Sequence, residues 1–269
     1  MQSKLDSLKH ILSEMESTVI AFSGGVDSTF LLNVAHEVLG ERCLAIIGSS
    51  ETMPTLDYDL ALDEVKKLGV NYLVIKTEEL SNEEFVANPK NRCFHCKNEL
   101  FSKLSNIARE KNFNWVVDGS NADDLKDYRP GLQAARKLGV RSPLQEAGLS
   151  KDEIRHFSQS MGLKTWNKPS SPCLSSRFPY GEEITLEKLQ RVEKAEAFLR
   201  ELGFNTLRVR LHDKIARLEI PKEEFPRIIE VESEVIVKKL KELGFLYVTL
   251  DLEGFRSGSL NEGSSMLQL

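Results

Sequence analysis

Apolar residues follow two alternating spacings along this chain. Leu5, Leu8, Ile11 and Leu12 recur at helical intervals and predict an N-terminal helix over residues 1–12. A continuous apolar run at 18–22 predicts a buried strand, and 30–35 the helix that follows it. Further strand-like runs lie at 43–48, 72–76 and 115–118, separated by amphipathic stretches at 55–68, 97–111 and 130–138. This alternation predicts βαβ units in an α/β fold, with a parallel sheet covered by helices on both faces. Residues 141–144 predict one more short strand, and 151–161 a helix capped by Ser150.

The pattern breaks between residues 165 and 183. The segment WNKPSSPCLSSRFPYG at 166–181 holds three prolines and four serines and has no period, which marks a long functional loop. Beyond it the spacing predicts a helix at 186–202, strands at 207–212 and 215–220, further helical stretches and a strand at 246–252. These elements suit a smaller α/β domain. The expected division is residues 1–181, 182–258 for substrate binding or oligomerisation, and a small polar tail at 259–269 that frays.

In a parallel sheet, ligands bind at the carboxyl ends of the strands, where Ser23, Ser49 and Gly119 would sit. The turn after the first strand reads Ser23-Gly24-Gly25-Val26-Asp27-Ser28-Thr29. Two adjacent glycines let backbone amides converge on a ligand, and the helix N-terminus adds partial positive charge, so the guest they suit is phosphate. Asp27 would repel a bare phosphate and points to a bridging magnesium. Gly119 would let a base or ribose approach the strand end, and Arg129 is a candidate clamp on phosphate or carboxylate.

The net charge of −5 over 269 residues gives no general attraction to nucleic acid. No apolar run approaches the roughly 20 residues of a membrane span, and no signal-peptide core opens the sequence. The expectation is a soluble, cytoplasmic protein without a membrane or nucleic-acid partner. Four cysteines in such a chain point to metal or reactive chemistry. Cys93-Phe94-His95-Cys96 could be a redox pair, half of a zinc site or part of an iron–sulfur site. Cys173 lies in the irregular loop, while Cys43 reads as a core residue. Three thiolates with no obvious fourth suit an incomplete cluster. A zinc with His95 as fourth ligand would be cramped.

In the C-terminal part, Arg208, Arg210 and His212 alternate with Leu207, Val209 and Leu211, so period two puts the basic groups on one face. Arg217 and Glu219 can share that face. It is either a solvated sheet surface or a site for a phosphate or several carboxylates, to which Arg256 could add.

The SGGVDST turn lacks the ending of a Walker A loop and resembles the PP-loop of the ATP pyrophosphatases. Together with DYRPGL, the 166–181 loop, LRVRLHDKIARLEIP and YVTLDLEGFRSG, it is similar to the LarE family over nearly the whole chain. That resemblance implies a sulfur transferase for the nickel-pincer nucleotide cofactor of lactate racemase. ATP would adenylate a carboxylate of pyridinium-3,5-biscarboxylic acid mononucleotide, and sulfur would displace AMP. The resemblance implies ATP contacts at Ser23, Gly24, Gly25, Asp27 and Ser28. It implies substrate contacts at Lys97, Ser176, Arg177, Glu196, Arg208, Arg210, Glu219 and Arg256, with Lys97 or Arg177 stabilising an oxyanion. It also implies a homo-oligomer, a trimer or hexamer. Some members surrender the sulfur of a loop cysteine, but the neighbouring position here is Pro172. With CxxC and a loop cysteine, the chain looks like the branch in which Cys93, Cys96 and Cys173 hold a 4Fe–4S cluster whose fourth iron carries hydrosulfide from a sulfide donor. The alternatives are a sacrificial Cys173, a tRNA thiolase, which the net acidity disfavours, and a non-enzymatic nucleotide or cluster module.

Overall fold

Thr18–Phe22 forms the first strand, β1, in a computed structural model that describes residues 1–126, 130–256 and 259–262. Its side chains serve two cores. Val19 packs with Leu44, Ile46, Phe101 and Leu104 on one face. Ile20 and Phe22 pack with Leu8, Leu12, Phe30 and Ile47 on the other. Successive side chains of a strand point to opposite faces, so a strand covered on both sides must be apolar throughout.

The chain forms two compact units, one of Met1–Phe85 with Lys90–Ser171, the other of Val86–Pro89 with the chain from Pro172 onward. In order, the first unit contains α1 (Gln2–Met15), β1, α2 (Val26–Leu39), β2 (Cys43–Ser49), α3 (Thr55–Leu68) and β3 (Asn71–Lys76). The short α4 (Glu83–Val86) ends at its boundary, and α5 (Arg92–Glu110), β4 (Trp115–Val117), α6 (Pro130–Lys137), α7 (Pro143–Glu146) and α8 (Lys151–Ser160) complete it. The four strands are parallel in the order β3-β2-β1-β4. Strand order therefore reverses between β1 and β4, which makes their carboxyl ends the switch point where such sheets bind ligands.

Two local expectations change and a third is met. Residues 141–144 are not a strand: Arg141 makes one parallel bridge to Val117, and α7 starts at Pro143 because its fixed φ suits the first helical position. Helix α5 begins at Arg92, so Cys93 and Cys96 lie inside its first turns rather than ahead of it. The predicted Ser150 cap is a full capping box, in which Ser150 and Glu153 exchange side-chain-to-backbone hydrogen bonds.

The second unit contains α9 (Leu186–Glu201), β5 (Arg208–His212), β6 (Ile215–Glu219), α10 (Ser233–Glu242), β7 (Tyr247–Leu250) and α11 (Ser259–Glu262). Its sheet runs β5-β6-β7, antiparallel between the first two and parallel between the last two. Segment 86–89 is stitched into this unit: Asn88 donates to the Pro179 carbonyl at 2.7 Å and accepts from the Gly181 amide at 2.9 Å. No helix of the described residues is long and apolar enough to cross a membrane.

Candidate active site

The turn between β1 and α2 is shaped by close packing at Gly24. Its φ is +65°, and a Cβ there would lie 2.9 Å from both Cα and Cβ of Ala61 on α3. Only glycine satisfies both demands. Gly25 is the N-cap of α2 and has no side-chain cap, so the first amides of the helix are left for a ligand. Ser28 Oγ lies 3.1 Å from Ser23 Oγ and donates to the Gly25 carbonyl at 3.3 Å, which fixes the loop from within.

Asp27, in the first turn of α2, accepts a hydrogen bond from Lys151 Nζ at 2.6 Å on Oδ2, while its buried Oδ1 has no partner among the described residues. An unsatisfied carboxylate oxygen beside a phosphate loop is the donor chemistry a magnesium ion requires, so these residues fit that ion. Lys151 is itself the first residue of α8, and its amide donates to Asp123 Oδ2 at 2.9 Å. On α3, Asp57 is one turn before Ala61 and faces the same loop. Lys168 Nζ lies 3.0 Å from Asp57 Oδ1 and 3.2 Å from the Gly24 carbonyl, and Ser171 also donates to Asp57. Nothing local in the sequence marks Lys151, Asp57, Lys168 or Ser171. Their partners lie far away in the chain, so no spacing rule reaches them.

Across the switch point, a Cβ on Gly119 would lie 3.0 Å from the Ser28 amide nitrogen. The first turn of α2 fills the space that the missing side chain leaves. Asp118 organises the same strand end, accepting from Ser142 Oγ at 2.7 Å and Ser120 Oγ at 2.8 Å. Ser49 closes β2, and its carbonyl accepts from Thr77 at 2.9 Å. Arg129 lies outside the described residues.

None of the four cysteines is in a disulfide. Cys43 is fully buried, and burial pushes its thiol up to about 12, so it stays a neutral core residue. Cys93 is exposed on α5, and Cys96, one turn on, donates to Glu79 Oε1 at 3.4 Å. Lys97 spreads along α5 with its ammonium 5.2 Å from the centroid of the buried Phe101 ring. Cys173 belongs to the second unit, where it precedes a 3-10 turn, Leu174–Arg177. Among the described residues no group of three or more His, Cys, Asp and Glu side chains could hold a metal ion.

In the second unit the basic strand is buried rather than solvated. Arg208 and Arg210 are only 5% and 2% exposed. Arg210 forms a two-pronged pair with Glu219, at 3.0 and 3.1 Å, and donates to the Ser176 carbonyl and to Ser259 Oγ. Arg177 grips Glu196 in the same way and holds the Pro172 carbonyl at 2.9 Å and Ser176 Oγ at 2.9 Å. Arg217 adds a second cation on Glu219 at 2.9 Å. Arg208 differs from its neighbours. It donates to the Arg256 carbonyl at 3.0 Å and stacks on Phe255 at 4.6 Å, and among the described residues it makes no ion pair. Burial, then the nearby Arg210 and Arg177, lowers its pKa. A buried cation crowded by other cations and lacking its own carboxylate is a ready anion site. The Arg256 side chain turns to Glu253 at 2.7 Å.

A family model described as NAD synthase matches residues 1–106, the part that carries the phosphate loop. An uncharacterised protein of Synechocystis sp. is 47% identical over 97% of this chain and 98% of its own. One from Methanocaldococcus jannaschii is 33% identical over 94% of this chain and 98% of its own. Pyridinium-3,5-bisthiocarboxylic acid mononucleotide synthase of Lactiplantibacillus plantarum is 38% identical over 100% of this chain and 98% of its own. At 38% identity over the whole length, the chain belongs to the LarE family of PP-loop sulfurtransferases.

Proposed function

We propose that this protein uses ATP to adenylate a carboxylate of pyridinium-3,5-biscarboxylic acid mononucleotide and converts it to a thiocarboxylate, a step in building a nickel-pincer nucleotide. The observation that carries the reading is the uncapped α2 N-terminus behind Gly24 and Gly25, in a chain 38% identical throughout to the Lactiplantibacillus plantarum synthase. The loop amides, with Ser23 and Ser28, hold the β- and γ-phosphates. The substrate carboxylate attacks the α-phosphorus, and pyrophosphate leaves. Arg208 holds the phosphate of the mononucleotide, and Ser176 and Arg256 line its approach. Arg177, Arg210, Glu196 and Glu219 keep that arginine cluster rigid. Orientation is their contribution to rate. Lys97 stabilises the oxyanion as sulfur adds to the acyl carbon and AMP departs. Asp27 would hold magnesium, which supplies neutralisation of the triphosphate.

For the sulfur we propose Cys93, Cys96 and Cys173 as the thiolates of a 4Fe–4S cluster. Hydrosulfide is the sulfur that reaches the acyl carbon: HS⁻ and the acyl-adenylate give thiocarboxylate, AMP and a proton. A second reading is supported by Cys173, whose carbonyl accepts from Arg177 at 3.4 Å, next to the proposed substrate residues. There its thiolate attacks the acyl-adenylate and releases AMP. Loss of the Cys173 α-proton then breaks its Cβ–S bond and leaves dehydroalanine. We place the protein in the cytoplasm as a homo-oligomer, a trimer or hexamer. Incubation with Mg-ATP, the biscarboxylate mononucleotide and sulfide tests the reaction. AMP, pyrophosphate and a thiocarboxylate product support it, and ADP with phosphate would refute it.

A further inference from the structure

The segment after α8 is tied down by Arg155, which donates to the carbonyls of Trp166 and Lys168 at 3.1 Å each. That fixes the backbone from which Lys168 reaches the phosphate loop. Its ammonium is 3.2 Å from the Gly24 carbonyl and 3.0 Å from Asp57 Oδ1, with the side chain only 17% exposed. An ammonium has three donors, and these contacts use two. A plain strut between loop and helix would explain the two contacts. It leaves unexplained why a partly buried cation is set on the carbonyl of the residue whose neighbouring amides take phosphate.

Charge supplies the reason. Two carboxylates, Asp27 and Asp57, flank a loop built for an anion, and each is matched by a lysine, Lys151 and Lys168. Neutralised in this way, the loop keeps the positive character of its amides and helix terminus. We propose that Lys168 is a catalytic residue that touches the triphosphate. When ATP is bound, its remaining N–H donates to a non-bridging phosphate oxygen and stabilises the charge that builds as pyrophosphate leaves. Asp57 and Arg155 are positioning residues that hold it there. The proposal rests on the ATP reading above.

The test compares wild type, Lys168→Met and Lys168→Arg for pyrophosphate release, for AMP binding and for thermal unfolding. Lys168→Met should lower kcat for release on the order of 100-fold, with AMP affinity and melting temperature unchanged. Lys168→Arg, which keeps the charge, should restore a measurable part of the rate. If wild type releases no pyrophosphate, the ATP reading fails and this proposal with it. If wild type is active and Lys168→Met equally so, the proposal alone is overturned. A Lys168→Met protein that loses AMP affinity and melts early, without rescue by arginine, makes Lys168 a strut and also overturns it.

Discussion

Arg177 meets Glu196 through two parallel hydrogen bonds, 2.7 Å from Nε and 2.9 Å from Nη2, with both side chains almost sealed from water. Glu196 also accepts from the Val209 amide at 3.1 Å and from Arg200 at 3.1 Å. One carboxylate thus ties the 3-10 turn at Leu174–Arg177, helix α9 and strand β5 together.

Burial alone would raise the Glu196 carboxyl, but Arg177, the Val209 amide and Arg200 hold it below its ordinary value. With the folded pKa depressed, its stabilisation is complete above the unfolded value of about 4.3 and lost as pH falls through the folded one. Glu196→Gln should lower stability at neutral pH by about 3–5 kcal/mol, because Arg177 loses its charge partner in a buried site. It should also flatten the acid limb. Urea unfolding at pH 7 and at several points below pH 5 checks both, and an acid limb as steep as wild type would refute the assignment.

Arg208→Ala should weaken binding of the mononucleotide by about 1.5–3 kcal/mol and leave ATP affinity largely intact. It breaks no ion pair among the described residues, so the fold should survive. Arg210→Ala should instead destabilise the protein, since among the described residues the buried Glu219 keeps only the partly exposed Arg217 as a cation. Calorimetric titration with the mononucleotide, alongside melting curves, separates these outcomes. Unchanged substrate affinity in Arg208→Ala would remove Arg208 from the site.

Asp27→Ala should abolish pyrophosphate release, because the metal loses a hard oxygen ligand and Lys151 loses its partner. The measurement is AMP and pyrophosphate formed at saturating Mg-ATP. Full activity in this variant would show that the magnesium is held elsewhere.

Gly119→Ala should cost about 1–3 kcal/mol, because its Cβ would meet the Ser28 backbone, which cannot swing aside. The displaced start of α2 should also weaken ATP binding. Wild-type stability together with wild-type ATP affinity would contradict this packing.

The sulfur source is decided by colour and mass. If three thiolates bind a 4Fe–4S cluster, anaerobic protein should be brown with about four irons per chain. Serine at position 93, 96 or 173 should strip it, and Cys43→Ser should not. A colourless, iron-free, active protein that loses the mass of hydrogen sulfide at Cys173 establishes the sacrificial reading instead.

The apolar runs at 18–22 and 43–48 were enough to foretell a parallel α/β sheet, because only strands covered on both faces are apolar throughout. The same was true of the phosphate loop, since Gly24-Gly25 and the helix start are adjacent in sequence and their chemistry is local. Period two put Arg208, Arg210 and Glu219 on one face, but it could not say whether that face meets water. Burial depends on what packs over a strand, and only the folded unit shows Arg210 closed onto Glu219 while Arg208 has no carboxylate of its own among the described residues. Lys151 and Lys168 were illegible. They reach Asp27 and Gly24 across 124 and 144 residues of chain, contacts set by where α8 and its following segment dock. Local pattern reports propensity and periodicity; the pairing of distant charges is fixed by tertiary packing alone.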